Sequence, residues 1–186
     1  MVAAAPDDLA GFLAWRAGGD APEAGWRSPL ALPTGPADAR IMVLVDCPDR
    51  DDGEALLSSG AEARLFDRML AAIGLSRDTI HLAAVHWRRP PPGRIAPAID
   101  ERLCELAQRH VALAGAERVL LLGDAASRAI LGTNTMAARG GLRALKHEGS
   151  KARAIASLHP RVLIERPASK ADAWRDLQLL IGETDG

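Results

Sequence analysis

Tyrosine is absent from these 186 residues and phenylalanine occurs only twice. With four tryptophans as its other aromatic residues, the chain must build its core from Ala, Leu, Val and Ile, and it has few rings on which a planar ligand could stack. Cysteine is scarce too. Cys47 and Cys104 belong to no CxxC or Cys/His cluster with metal spacing, which suits two partly buried thiols in a reducing compartment. Neither sign of charge is in excess: 23 basic residues stand against 24 acidic ones for a formal net charge of -1, which excludes a grossly basic nucleic-acid coat but not a local patch. No apolar run approaches the roughly 20 residues of a membrane span. The start MVAAAPDDLAGFLAW has no basic n-region, which argues against a secretory signal. The expectation is a cytoplasmic protein with no membrane partner.

What is present reads as one well-buried α/β domain. Apolar positions at Leu9, Phe12 and Leu13 give a short helix over 6–17, with Pro6 suited to its first turn. Residues 18–39 are dense in Gly and Pro and have no period, yet Trp26, Leu30 and Leu32 are too apolar for a free linker, so they read as an irregular strap. Residues 1–39 are thus a helix and strap packed on a domain formed by 40–186. In that domain strands at 40–46, 79–85, 118–122 and 152–157 alternate with helices at 61–73, 98–114, 124–131 and 170–181. Alternation of this kind predicts a three-layer α/β/α sandwich around a central four-stranded parallel sheet. There is no internal repeat or low-complexity segment.

Right-handed crossovers bring the C-terminal ends of all four strands to one edge, where open α/β folds hold their ligands. Loops 46–60, 86–97, 123–124 and 159–169 leave that edge. Asp46 ends the first strand and His159-Pro160 follows the last, so an acid and an imidazole can meet there. Each feature has a plainer reading. Asp46 can cap a turn before Pro48, and His159 can bond a neighbouring carbonyl. Arg89 and Arg94 can simply flank a polyproline turn, and Val162, Leu163 and Ile164 can be core. Gly123 opening a helix lacks the spacing of a P-loop or a dinucleotide fingerprint, and Cys47 has no sequence neighbour that would activate it.

In order and spacing the four loops resemble the uracil-DNA glycosylase superfamily, in particular its iron-sulfur, thermostable-type branch, over residues 41–181. Where that branch has Gly-Glu-Ala-Pro-Gly, this chain has Val45-Asp46-Cys47-Pro48-Asp49. The family's Lys-Cys-Arg-Pro-Pro with a further Arg stands as Trp87-Arg88-Arg89-Pro90-Pro91 with Arg94. Leu122-Gly123 before a helix, Arg139-Gly140 after it, and LHPRVLIERPASKADAWRDLQLL at the end complete the pattern. The branch's cluster uses four cysteines. Cys104 falls on one of those positions, Arg88 falls on another, and no cysteine precedes Cys47, so the resemblance implies neither metal nor cofactor. On this resemblance the strap around Trp26 would take over the cluster's structural role by apolar packing.

The resemblance further implies a site acting on DNA, single-stranded or as damaged duplex, by a monomer. Asp46, aided by Asp49, would orient water and offset positive charge on the sugar. His159 would stabilise the departing base. Val162, Leu163 and Ile164 would form a wedge that fills the vacated stack. Arg89, Arg94, Arg161 and Lys170, with the helix opened by Gly123, would meet phosphates. Two positions depart from the family: Ala84 stands where an Asn reads the base, and Ser58 where an aromatic stacks on it. His86 or Trp87 are the possible substitutes. Three readings follow: a glycosylase for a deaminated or damaged base, a non-catalytic DNA- or protein-binding member of the superfamily, and a small-molecule nucleotide site with a closed pocket and no exposed wedge.

Overall fold

The computed structural model describes residues 4–147 and 150–182. Its elements run α1 (Leu9–Ala17), β1 (Ile41–Val45), α2 (Gly60–Ala72), β2 (Ile80–Ala84), α3 (Pro97–Ala114), β3 (Arg118–Leu122) and α4 (Asp124–Leu131). They continue with α5 (Thr135–Ala138), β4 (Arg143–Ala144), β5 (Arg153–Ser157), α6 (Pro160–Glu165) and α7 (Lys170–Ile181). The sheet order is β2-β1-β3-β5-β4. β1, β2, β3 and β5 are the four parallel strands expected. The fifth, β4, pairs antiparallel with β5 through two exposed residues, too few to show a period-two pattern in the sequence. The one-turn helix α5 also went unpredicted. So did α6, which takes the first half of a segment expected to be a loop.

Strand parity builds the two cores. Val43, Val45, Leu82, Leu120, Leu122 and Ile155 meet Phe66 and Leu70 of α2 and Leu177 and Leu180 of α7. Met42, Leu44, Ala83, Leu121 and Ala154 meet Ala107 and Val111 of α3 and Ala126 and Ile130 of α4. Both faces are buried, hence the continuous apolar runs, and each fully buried Leu or Val contributes about 1.5–3 kcal/mol.

The N-terminal segment is tied to this sandwich. The Phe12 ring lies 5.3 Å from that of His110 on α3. Within the strap, Thr34 exchanges two 2.9 Å backbone bonds with Leu82. Gly35 has φ +85°, and a Cβ there would lie 1.8 Å from the Ile80 carbonyl oxygen, so only glycine lets the strap approach β2 this closely. Deeper in, Arg16 and Glu23 form an ion pair with side chains 0% and 1% exposed. Arg16 also donates to the Val85 carbonyl at 2.8 Å and lies 5.1 Å over the Trp87 ring. Among the described residues no helix is long and apolar enough to cross a membrane.

Candidate active site

From β1 the chain crosses to β2 on one side, whereas β3 pairs on the other, so the loops after β1 and β3 diverge and leave a crevice at the C-terminal edge. Asp46 follows β1 and Gly123 follows β3. Both line a cleft of about 280 Å³ that also takes His159, Arg161, Val162 and Met136. A larger hollow of about 480 Å³ lies at the opposite edge, around Ile41 and Ile181, and its Arg40 and Glu117 pair with each other. The chemistry-bearing residues therefore converge on the smaller space.

Asp46 has the parity of Met42 and Leu44, so its carboxylate turns towards α4 and accepts from the Ala126 N–H at 2.8 Å. Gly123 has φ +119°, and a Cβ there would come within 2.5 Å of Asp46 Oδ1. Burial pushes the Asp46 carboxyl above its ordinary range, while the N–H groups of Ala126 and Ala125 pull the other way. Asp46 thus caps the start of α4 rather than the turn before Pro48, and the same side chain lines the cleft.

His159 caps α6, its Nδ1 accepting from the Arg161 N–H at 3.2 Å. The ring proton therefore sits on Nε2. Burial, with the nearby Arg161 charge, pulls the imidazole down to about 4, so it is neutral at pH 7. Nε2 lies 3.8 Å from Asp49 Oδ2, too far for a hydrogen bond. Asp49 Oδ1 instead accepts from Arg161 Nη1 at 2.8 Å.

Sequence reasoning missed the residue that shapes this loop. The buried Asp52 carboxylate accepts from the N–H groups of Leu57 and Ser58, each at 2.8 Å, and of Asp49 at 3.0 Å. Leu57 is thereby held at φ +48°, a region few non-glycine residues enter. The acidic run Asp49-Arg50-Asp51-Asp52 was the available signal, but nothing local distinguishes its buried member from its solvated ones.

The remaining candidates divide. Arg89 donates to the Pro48 carbonyl at 3.2 Å and so braces the first loop. Arg94 and Lys170 are exposed. Val162 is half-buried in the cleft wall, but Leu163 lies in the apolar core, as does Ala84, whose methyl carries no hydrogen-bonding group. Ser58 uses its N–H and hydroxyl on Asp52. Although the His86 N–H donates to the Asp46 carbonyl at 3.0 Å, its ring packs edge-on against Trp26, 3.9 Å from Asp100 of α3. Trp87 is fully buried beneath Arg16. Arg166, not singled out in the sequence, completes the cleft wall.

The residues present do not fit a four-thiolate cluster. The sequence holds two cysteines, and Cys47 sits on the Asp46 loop, where burial pushes its thiol up to about 11. At the second family position Arg88 donates through Nη1 to the Ser28 carbonyl at 2.5 Å, and no group of three or more His, Cys, Asp or Glu able to hold a metal occurs among the described residues.

A mostly parallel α/β/α sandwich with a carboxylate and a histidine lining one cleft at the C-terminal edge of its strands belongs to the doubly wound class. Comparison narrows that class. Residues 32–178 match the uracil DNA glycosylase superfamily, and the chain belongs to it. It is also 28% identical over 158 residues to the type-4 uracil-DNA glycosylase of Archaeoglobus fulgidus, a match covering 80% of this chain and 78% of that protein.

Proposed function

We propose that this protein is a DNA glycosylase that hydrolyses the N-glycosidic bond of a deaminated or otherwise damaged base, as a cytoplasmic monomer without metal or cofactor. The observation that carries this reading is the joint lining of one cleft by Asp46 and the neutral His159. The ionised Asp46 carboxylate, fixed by Ala126 N–H, holds the attacking water and offsets positive charge developing at C1′ as the bond to the base breaks. Water oxygen joins C1′, and its proton leaves to the Asp46 carboxylate or to solvent. The electron pair of the broken bond departs with the base. His159 Nε2–H donates a hydrogen bond to that anion without transferring its proton, because an imidazole already neutral at pH 7 is a donor and not a strong acid. Arg161 and Arg166 bring positive charge to the cleft for the flanking phosphates.

A second reading, a DNA- or protein-binding member without catalysis, is favoured by Ala84 in the core and by the absence of a ring at Ser58. Single-turnover base release from oligonucleotides carrying uracil, hypoxanthine or xanthine decides between them. A glycosylase releases one of these bases and loses about 10²–10³-fold in rate in both Asp46→Ala and His159→Ala. Because Asp46 must be ionised and its carboxyl is raised, the rate of the parent falls on acidification from above the ordinary carboxylate range. No release by the parent, with DNA binding that weakens steeply as salt rises, supports the second reading.

A further inference from the structure

We infer that Met136 is the residue this protein inserts into the DNA stack, from the wall of the cleft that also takes His159. The inference rests on the glycosylase reading and adds to it a wedge on α5 in place of one on α6. A base drawn into the cleft leaves a gap that an apolar side chain can fill, and the wedges used to part base steps elsewhere are Phe, Leu, Ile, Met or Pro. Three features qualify Met136.

The first is exposure. Met136 is 69% exposed, the highest value among the large hydrophobic residues described, and it borders the cleft that holds Asp46 and His159. Leaving a methionine in water is unfavourable by the area it fails to bury. On α6, by contrast, Leu163 is 1% exposed and belongs to the core, Val162 is half-buried, and only Ile164, 38% exposed, stands out.

The second is the rigidity of its support, since an inserted side chain must resist the stack it parts. Thr135 N–H donates to Asp124 Oδ1 at 2.9 Å, and the hydroxyls of Thr135 and Ser127 lie 3.1 Å apart. Asn134 caps the turn by accepting from Ala137 N–H at 3.0 Å, and Ala138 is fully buried. Immediately after, Arg139 pairs at 2.8 Å with Asp176, itself buried and bonded at 2.7 Å by the Ser157 hydroxyl. One exposed methionine thus rides on a single helical turn fastened to α4, β5 and α7.

The third is charge. Arg161 and Arg166 line the same cleft, so the rim that carries Met136 is continuous with groups able to hold the phosphates on either side of a vacated position. The flexible thioether chain adapts to whichever bases remain.

The test uses the full chain and oligonucleotides carrying uracil, hypoxanthine or xanthine in turn, single-stranded or in duplex, with 2-aminopurine as the adjacent base, whose fluorescence rises when its stacking is lost. Binding of the parent to the duplex should raise the fluorescence. In Met136→Ala the rise should disappear and duplex base release should fall by about tenfold or more, while release from the single strand, which has no paired stack to part, falls by clearly less. Met136→Leu should restore both signals. Equal behaviour of Met136→Ala and parent on duplex overturns the inference, as does a loss of the same size on single strand and duplex, or transfer of the effect to Ile164→Ala. A parent that raises the fluorescence but releases no base overturns the glycosylase reading and leaves the insertion supported. A parent that does not bind the duplex overturns the insertion, and one that also releases no base from the single strand overturns both.

Discussion

Gly123 and Asp46 are fitted to each other: the α-carbon of the glycine, at φ +119°, leaves no room for a methyl that would fall 2.5 Å from the carboxylate oxygen bonded to Ala126. Gly123→Ala is therefore expected to cost about 2–4 kcal/mol, combining an unfavourable backbone region with displacement of a cap. It should also abolish base release, because the acid and the helix start can no longer share the crevice. Thermal melts beside single-turnover assays check this. A variant as stable as the parent would mean that the loop relaxes and the close fit is unimportant.

Asp52 predicts a loss of a different kind. Asp52→Ala strands three N–H donors, of Asp49, Leu57 and Ser58, and removes what holds Leu57 at positive φ. A destabilisation of about 2–4 kcal/mol is expected in urea titration, with faster proteolysis within residues 46–60. Asp52→Asn, which keeps one acceptor oxygen, should lose roughly half as much. Equal stability of all three proteins would show that the donors find other partners.

Two buried histidines set the acid side of the stability curve. His159 and His86 are each pulled down to about 4, chiefly by burial, from an ordinary value of 6.5. A depressed value in the folded state means that the unfolded chain takes up a proton the folded chain refuses. Their stabilising contribution is thus complete above pH 6.5 and is lost as pH falls towards 4, by up to about 1.4 kcal/mol per pH unit for each ring. His81 and His110, also lowered by burial, act in the same direction. Urea midpoints measured from pH 8 to pH 4 should be level at first and then decline. His86→Phe should make the decline shallower, and an unchanged slope in that variant would place His86 in a more hydrated setting than its burial implies.

Arg94 should behave as a phosphate contact. It stands exposed on the loop after β2, so Arg94→Ala is expected to leave stability unaltered and to lower the slope of log K against log salt by about 1 in DNA binding. Arg175→Ala, whose guanidinium pairs with Asp172 along α7, is the control and should keep the slope of the parent. Identical slopes for both variants would remove Arg94 from the interface.

Much of this architecture could be read from the chain because the strands are apolar on both faces and the helices have a clear period. The run Ile41–Val45 and the amphipathic spacing of α3 are visible without coordinates. Asp46 and His159 could be placed for the same reason, since a parallel sheet sends every strand end to one edge. What escaped depends on contacts distant in sequence. α5 is four residues long and owes its place to Asp124, Ser127 and Asp176, which no window around Met136 reveals. For Leu163 the sequence left core and wedge both open, and α6, which it did not show, turns the side chain into the core. Asp52 resembled its acidic neighbours because burial, not residue type, sets it apart.

The dry contact between Arg16 and Glu23 bears on how such a chain can change over generations. A buried ion pair adds little net stability, but losing one member leaves a lone charge in an apolar setting, at a cost of about 3–5 kcal/mol. Neither residue can drift by itself, and the Trp87 backbone N–H, which donates to Glu23 at 3.2 Å, ties the loop after β2 to the same pair. Helix α1 and the strap are accordingly coupled to the second strand's loop: a substitution of one member of the pair is tolerated only with a matching change in the other.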